Sequence, residues 1–209
     1  LVKKFYSISR KNILISVFTD TGYENAIKKY FNLKPIIIDD NCDLGIKINH
    51  DNPKTIGADR IVNSVAGIKK YGVPLIIIDI GTAITFDVVD ENSIYQGGAI
   101  IPGIGISSEA LFLKTAKLPR VELYKPERIV AKNTMDNIRV GMVIGYIGLI
   151  EKLIDEVVKE MNFDVSKLKV VATGGYSSLI TKDIDKINII DKKLTLDGML
   201  EIYKMKKGL

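Results

Sequence analysis

Residues 76–90 read IIIDIGTAITFDVVD, two runs of β-branched and apolar residues separated by Asp79-Ile80-Gly81-Thr82. Runs this rich in isoleucine and valine suit strands covered on both faces, and the short polar break leaves room for little more than a turn. A β-hairpin with a glycine turn accounts for the pattern. The same tip has a second use. Glycine lets backbone amides approach a phosphate oxygen, the Thr82 hydroxyl can donate to it, and the Asp79 carboxylate can hold a hard cation. On four residues alone the plain turn is the stronger reading, and both stay open.

The rest of the chain alternates strand and helix. NILISVF (12–18) and KPIIID (34–39) read as strands, with a helix between them carrying Tyr23, Ala26, Ile27 and Tyr30 on one face. A polar stretch spans 40–54. A helix over 58–71 has Ile61, Val62, Val65, Ala66 and Ile68 as its apolar side. SIYQGGAI (93–100) adds a third strand to the hairpin as a meander, and a helix with Ile106, Ala110, Leu111 and Leu113 follows Pro102. Asn133-Thr134 precedes a long helix over about 136–161 with a broad apolar face. LKVVATGG (168–175) is a strand ending in paired glycines, and helices and a short strand at INIID close the chain. This is an α/β pattern with mixed sheets.

Composition narrows the class. With 46% hydrophobic and 26% charged residues the 209-residue chain has the make-up of a folded protein with a core. Cys42 is the sole cysteine, which excludes an intrachain disulfide and a cysteine-based zinc site and suits a reducing, cytoplasmic setting. No apolar run approaches the roughly 20 residues that span a bilayer, so no membrane partner is expected. The net charge of +5 is spread over lysine pairs such as Lys28-Lys29 and Lys69-Lys70. Dispersed charge without an aromatic-interleaved basic stripe suits anionic small substrates better than nucleic acid.

Two further polar groups fall where elements begin or end, as ligand sites in α/β proteins do. Thr173-Gly174-Gly175 could seat an anionic ligand on backbone at a strand-to-helix turn, or could simply be a tight turn. In IGADRIVNSVAG (56–67), Asp59 and Arg60 open an apolar helix beside Gly57. They could be a first-turn carboxylate favouring the helix dipole with a solvated arginine. They could equally be a proton acceptor with an arginine that clamps an anionic group, as phosphorylation of an alcohol requires. Asn63 and Gly67 follow at helical spacing. His50, the single histidine, reads as a solvated loop residue.

Taken together and in order, GADRIVNSVAG, IIIDIGTAITFDVV, YQGGAIIPGIGIS, LFLKTAKLPRVEL, NTMDNIRVG and VVATGGYSSLI resemble the signatures of the type III pantothenate kinases, a branch of the acetate and sugar kinase/actin-like superfamily. The resemblance tips the balance at the hairpin towards a phosphate and cation cradle. It implies two ribonuclease-H-like domains of the actin-like ATPase superfamily with ATP in the cleft between them: 1–70 as the remainder of the first, lacking its leading strands, and 71–209 as the second, with a dimerisation helix. It implies phosphorylation of the terminal hydroxyl of pantothenate by ATP, the first step towards coenzyme A, with a divalent cation (Mg) and a monovalent cation (K or NH4). Asp59 would be the proton acceptor, and Gly57, Ala58, Asp59, Arg60 and Thr134 would contact pantothenate, Thr134 from the neighbouring subunit of a homodimer. Asp79 would bind the monovalent cation and Thr82 would contact ATP. Family members begin with a strand carrying a D-x-G-N-T phosphate loop that residues 1–209 do not include, so the resemblance implies an N-terminally truncated form of low activity. Many members also have an aromatic residue at the position of His50. The competing class is a non-catalytic accessory or regulatory relative, which has no physical need for a carboxylate base set beside an arginine.

Overall fold

The computed structural model describes residues 44–208 and, before them, 6–8, 13–16, 29–30 and 36–37. Strands β1 (Tyr6–Ile8), β2 (Ile13–Ser16) and β3 (Ile36–Ile37) form a small sheet, β1 antiparallel to β2 and β2 parallel to β3. β2 and β3 are the cores of the strands expected at 12–18 and 34–39, whereas β1 is not among the expected strands. The helix expected between them lies outside the described residues except for Lys29 and Tyr30, which are helical.

A six-stranded mixed sheet organises the remainder. Its members are β4 (Lys47–Ile48), β5 (Leu75–Ile80), β6 (Ala83–Val89), β7 (Ile94–Pro102), β8 (Lys169–Thr173) and β9 (Ile189–Ile190), in the order β4-β7-β6-β5-β8-β9. β5, β6 and β7 are the antiparallel meander read from the sequence, while β8 runs parallel to both β5 and β9. Alternate residues of β5 face opposite ways. Ile76, Ile78 and Ile80 join Ile84, Phe86 and Val88 in one core cluster, whereas Leu75 and Ile77 join Val89 and Val171 in another. Both faces of β5 and most of β6 are thus covered, which is why these two strands read as continuous apolar runs.

Helix α1 (Ala58–Tyr71) lies on the second of these faces with α6 (Leu194–Lys207) packed along it. Its Ile61, Val62 and Val65 pack with Tyr95, Met199 and Ile202, and Ala66 joins the cluster of Leu75 and Ile77. β4 and α1 thus share a core with Tyr95, Met199 and Ile202, which follow them in the chain.

The opposite face is covered by the long helical segment, which is not the uniform helix expected over 136–161. α3 (Thr134–Arg139) passes through a π turn, Val140–Ile144, into α4 (Gly145–Met161). Such a turn rotates the following face, and Val143, Ile147, Ile150 and Ile154 come to rest on the sheet. Helix α2 (Ile104–Lys114) buries only Ile104. Its Ile106 and Leu113 are 50% and 65% exposed, so these apolar residues face outwards. A four-residue helix α5 (Ser177–Ile180) follows β8. Among the described residues no helix is long and apolar enough to cross a membrane.

Candidate active site

Three glycine-bearing turns meet at one end of the sheet. The β5–β6 turn closes with the Gly81 amide donating to the Ala83 carbonyl at 3.0 Å. Beside it the β7–α2 turn brings Gly103, whose amide donates to the Thr82 carbonyl at 3.0 Å. A Cβ on Gly103 would lie 2.2 Å from that same oxygen and 2.4 Å from the Gly81 oxygen. The β8–α5 turn adds Gly174 at φ +92°, where a Cβ would lie 2.5 Å from Asp79 Oδ1 and 2.6 Å from the Ile80 carbonyl. Tyr176 seals this side, its amide donating to the Ile80 carbonyl at 3.1 Å. The tip is thus wedged between two backbone turns that only glycine permits to come so near. Asp79 is buried within it, and Thr82 stands exposed.

Helix α1 reaches the same region. It starts at Gly57 without a side-chain cap, and Asp59 takes up part of that role: its Oδ1 accepts the Arg60 amide at 2.9 Å while the residue stays exposed. Arg60 turns the other way. It is 8% exposed, so the solvated arginine considered above is not what forms. Its Nε donates to Asp87 Oδ1 at 2.7 Å and its Nη2 to the Phe86 carbonyl at 2.8 Å. One turn further along, Asn63 Nδ2 donates to Asp79 Oδ2 at 3.3 Å, and Asn63 Oδ1 accepts from Thr195 Oγ1 at 2.7 Å. Asn63 therefore ties the GADR helix to the tip, while Arg60, one turn earlier on the same face, ties it to the middle of β6.

Asp87 lies in the middle of β6 with no exposure, and also accepts from Tyr95 Oη at 2.9 Å and Thr85 Oγ1 at 3.2 Å. Burial pushes its carboxyl up to about 6, against the opposing pull of Arg60 and the three hydrogen bonds. Burial and the Asp87 carboxylate together push the Tyr95 phenol far above its usual range, with the Asp59 carboxylate adding to that field. Asp87, Tyr95, Gly103 and Thr195 were missed as site residues. The one available signal was a carboxylate in the middle of an otherwise apolar strand, TFDVV.

The remaining expected residues lie elsewhere. Thr134 is exposed at the start of α3, where Asn133 caps the helix by accepting the Asp136 amide at 2.9 Å. Arg139 braces this segment on the Glu122 carbonyl at 2.9 Å and on Asp136 at 2.7 Å. A cavity of about 400 Å³ adjoins it, lined by Tyr124, Arg128, Lys132, Asn133 and Asp136 among others. Among the described residues no hydrogen bond joins Thr134 to α1 or to the tip. His50 is exposed and accepts the Asn52 amide at 3.2 Å, a loop histidine as expected.

Among the described residues no group of three or more His, Cys, Asp or Glu side chains could hold a metal. What the tip offers is one carboxylate, one hydroxyl and backbone oxygens. An all-oxygen set of low charge fits a monovalent cation, whereas a magnesium ion is held chiefly by substrate phosphates and water.

Comparison with known proteins gives the family of the chain. The sequence profile of type III pantothenate kinase matches residues 4–156. A type III pantothenate kinase of Finegoldia magna is 47% identical over 183 residues, 88% of this chain and 70% of that protein. One from Persephonella marina is 47% identical over 179 residues, 86% of this chain and 69% of its own length. In three dimensions the chain resembles a Campylobacter jejuni crystal structure described as a conserved Baf family transcriptional activator, with a TM-score of 0.63 over 93% of this chain and 83% of that one. At 24% identity that likeness speaks for the α/β fold alone. With GADR opening a helix that is bonded to the cradle, and with relatives of this identity over most of its length, the chain belongs to the type III pantothenate kinase family.

Proposed function

We infer that the protein transfers the γ-phosphoryl group of ATP to the terminal hydroxyl of pantothenate, giving 4′-phosphopantothenate and ADP at the first step of coenzyme A biosynthesis. One observation supports this above the others. Helix α1 presents Asp59 and Arg60 in its first turn and bonds Asp79 through Asn63 in its second, so one rigid element sets the proton acceptor against the phosphate cradle.

Phosphoryl transfer through a loose transition state asks the protein mainly for alignment and charge neutralisation. Asp59 accepts the hydroxyl proton as the substrate oxygen bonds to phosphorus and the bridging oxygen departs with ADP. Gly57, Ala58 and Arg60 border the pantothenate site, and Thr82 donates to ATP. Asp79, with neighbouring backbone oxygens, would hold potassium or ammonium, and magnesium would accompany the nucleotide. These cations, when bound, offset phosphate charge that the tip alone leaves unbalanced.

The same reading includes two ribonuclease-H-like domains, a cytoplasmic location and a homodimer in which Thr134 of the partner subunit completes the pantothenate pocket. The outward apolar residues of α2, Ile106 and Leu113, support such an assembly. Sedimentation of a fully active species as a monomer at micromolar concentration would rule the dimer out. The regulatory alternative is disfavoured because a binding protein has no use for Asp59 held at a helix start beside a fixed arginine. The deciding assay follows ADP release by the purified full-length native protein with ATP, magnesium and potassium. Release that depends on pantothenate is expected; release of none overturns the reading.

A further inference from the structure

Asp87 carries no role in the reading above, yet it is the most deeply buried charge near the site. A carboxylate with no solvent exposure in mid-strand is costly unless charge and hydrogen bonds answer it. Here donors on three elements do so: Arg60 of α1, Tyr95 of β7 and Thr85 of β6 itself. Stability alone is a poor reason to keep such a group, because apolar residues of similar volume commonly serve a core as well or better.

The geometry around Arg60 suggests what the arrangement is for. Its guanidinium is a planar fork, and two of its nitrogens are committed, one to Asp87 and one to the Phe86 carbonyl, so its plane is set against the backbone of β6. The main-chain amide of the same residue donates to Asp59 Oδ1. Arg60 is thus anchored inward by its side chain while its backbone holds the outward carboxylate of its neighbour. A shift of the guanidinium is passed to the first turn of α1, where the pantothenate-binding residues sit.

We propose that Asp87 is a positioning residue for the pantothenate site: by fixing the Arg60 guanidinium it holds the first turn of α1, and with it Asp59, in register for the substrate. The proposal rests on the pantothenate kinase reading. Tyr95 serves the same end from β7 by sharing Oδ1 of Asp87 with Arg60.

The test uses the full-length native protein and the variants Asp87→Asn, Arg60→Ala and their combination. Asparagine keeps one oxygen as acceptor for Arg60 and Tyr95, removes the charge, and puts an amide donor where Oδ2 accepts from Thr85. Pantothenate affinity is measured by calorimetry without nucleotide, beside KM for each substrate and kcat. Asp87→Asn is expected to weaken pantothenate about tenfold or more while KM for ATP stays within about twofold, as for a small displacement confined to one substrate. Because Asp87 acts through Arg60, the double variant should bind pantothenate no more weakly than Arg60→Ala alone. Unchanged affinity in Asp87→Asn, or losses that multiply in the double variant, would overturn the proposal. Should Asp87→Asn fail to fold, Tyr95→Phe removes one donor and leaves the ion pair; it should shift pantothenate affinity in the same direction by less, and no shift would equally overturn the role. A wild-type protein that neither binds nor phosphorylates pantothenate would bring down the functional reading itself, whereas wild-type turnover with an indifferent Asp87→Asn would bring down only this inference.

Discussion

Replacing Gly103 by alanine tests the cradle with a single carbon atom. Gly103 sits at φ −66° and ψ 152°, which alanine adopts freely, so the backbone of residue 103 itself is not strained. The added Cβ meets the Thr82 carbonyl oxygen at 2.2 Å, the Gly81 oxygen at 2.4 Å and the Thr82 carbonyl carbon at 2.7 Å, all main-chain atoms that no rotamer change can move. Real Cβ contacts essentially never fall under 3.0 Å, so the β5–β6 tip and the β7–α2 turn must separate by about 0.8 Å, the difference between 3.0 and 2.2 Å. That movement stretches the 3.0 Å bond from the Gly103 amide to Thr82, the bond that ties the two turns together. Overpacking of this kind costs roughly 1–3 kcal/mol, a fall in Tm of roughly 2–4 °C per kcal/mol for a chain of this size. A displacement near 1 Å at a site that works by alignment costs about 10²-fold in rate. The expected outcome is therefore kcat reduced about 100-fold with a modest loss of Tm and pantothenate affinity retained, because the three atoms nearest the added Cβ belong to Gly81 and Thr82 of the tip. Steady-state kinetics, thermal melting and calorimetry with pantothenate alone separate these effects. A Gly103→Ala protein that melts lower but turns over at the wild-type rate would refute the assignment of the tip to phosphate.

Three other outcomes follow from the same geometry. Asp59→Asn keeps the shape of the helix start and removes the proton acceptor, so turnover should fall roughly 10²–10⁴-fold with the fold unchanged by circular dichroism; intact kinetics would return Asp59 to a helix-start role. Activity of the full-length enzyme should be higher in potassium or ammonium chloride than in sodium chloride at matched ionic strength, and Asp79→Asn should lower rate or cation affinity with little change in melting; equal rates in all three salts would make Asp79 a turn residue only. Burial holds Asp87 at about 6 in the folded protein against an ordinary carboxyl value of 3.8, so its contribution to stability is fully present below about pH 3.8 and is lost as pH rises through 6, on the order of 3 kcal/mol. Melting curves should therefore show wild type losing ground to Asp87→Asn between pH 4 and pH 7, and a difference that is constant or that grows in favour of wild type would contradict that sign.

What residues 44–208 settle by themselves is whatever depends on near neighbours in the chain. Successive side chains of a strand alternate between faces, so the isoleucine and valine runs of β5 and β6 announce strands covered on both sides. Helix α1 is legible over its whole length, Ala58–Tyr71, because its apolar residues recur at helical spacing and Gly57 and Gly72 bound it. The glycines of the three turns are legible for a similar reason, since a turn or a positive φ is a property of a few consecutive residues. Motif order was enough to place Asp59, Arg60, Asp79 and Thr82 on or beside those elements. Tertiary structure alone decided what each of them touches. Arg60 could have faced solvent, and it faces inward only because Asp87, 27 positions away, is buried beneath it. Asn63 is oriented towards Asp79 by Thr195, 132 positions along, a partner no local pattern reveals. The π turn in the long helix and the outward face of α2 belong to the same class, because each depends on which neighbouring surface the fold supplies. A buried charge or polar group takes its role from whichever group the folded chain brings within about 3 Å, and that pairing is non-local in sequence.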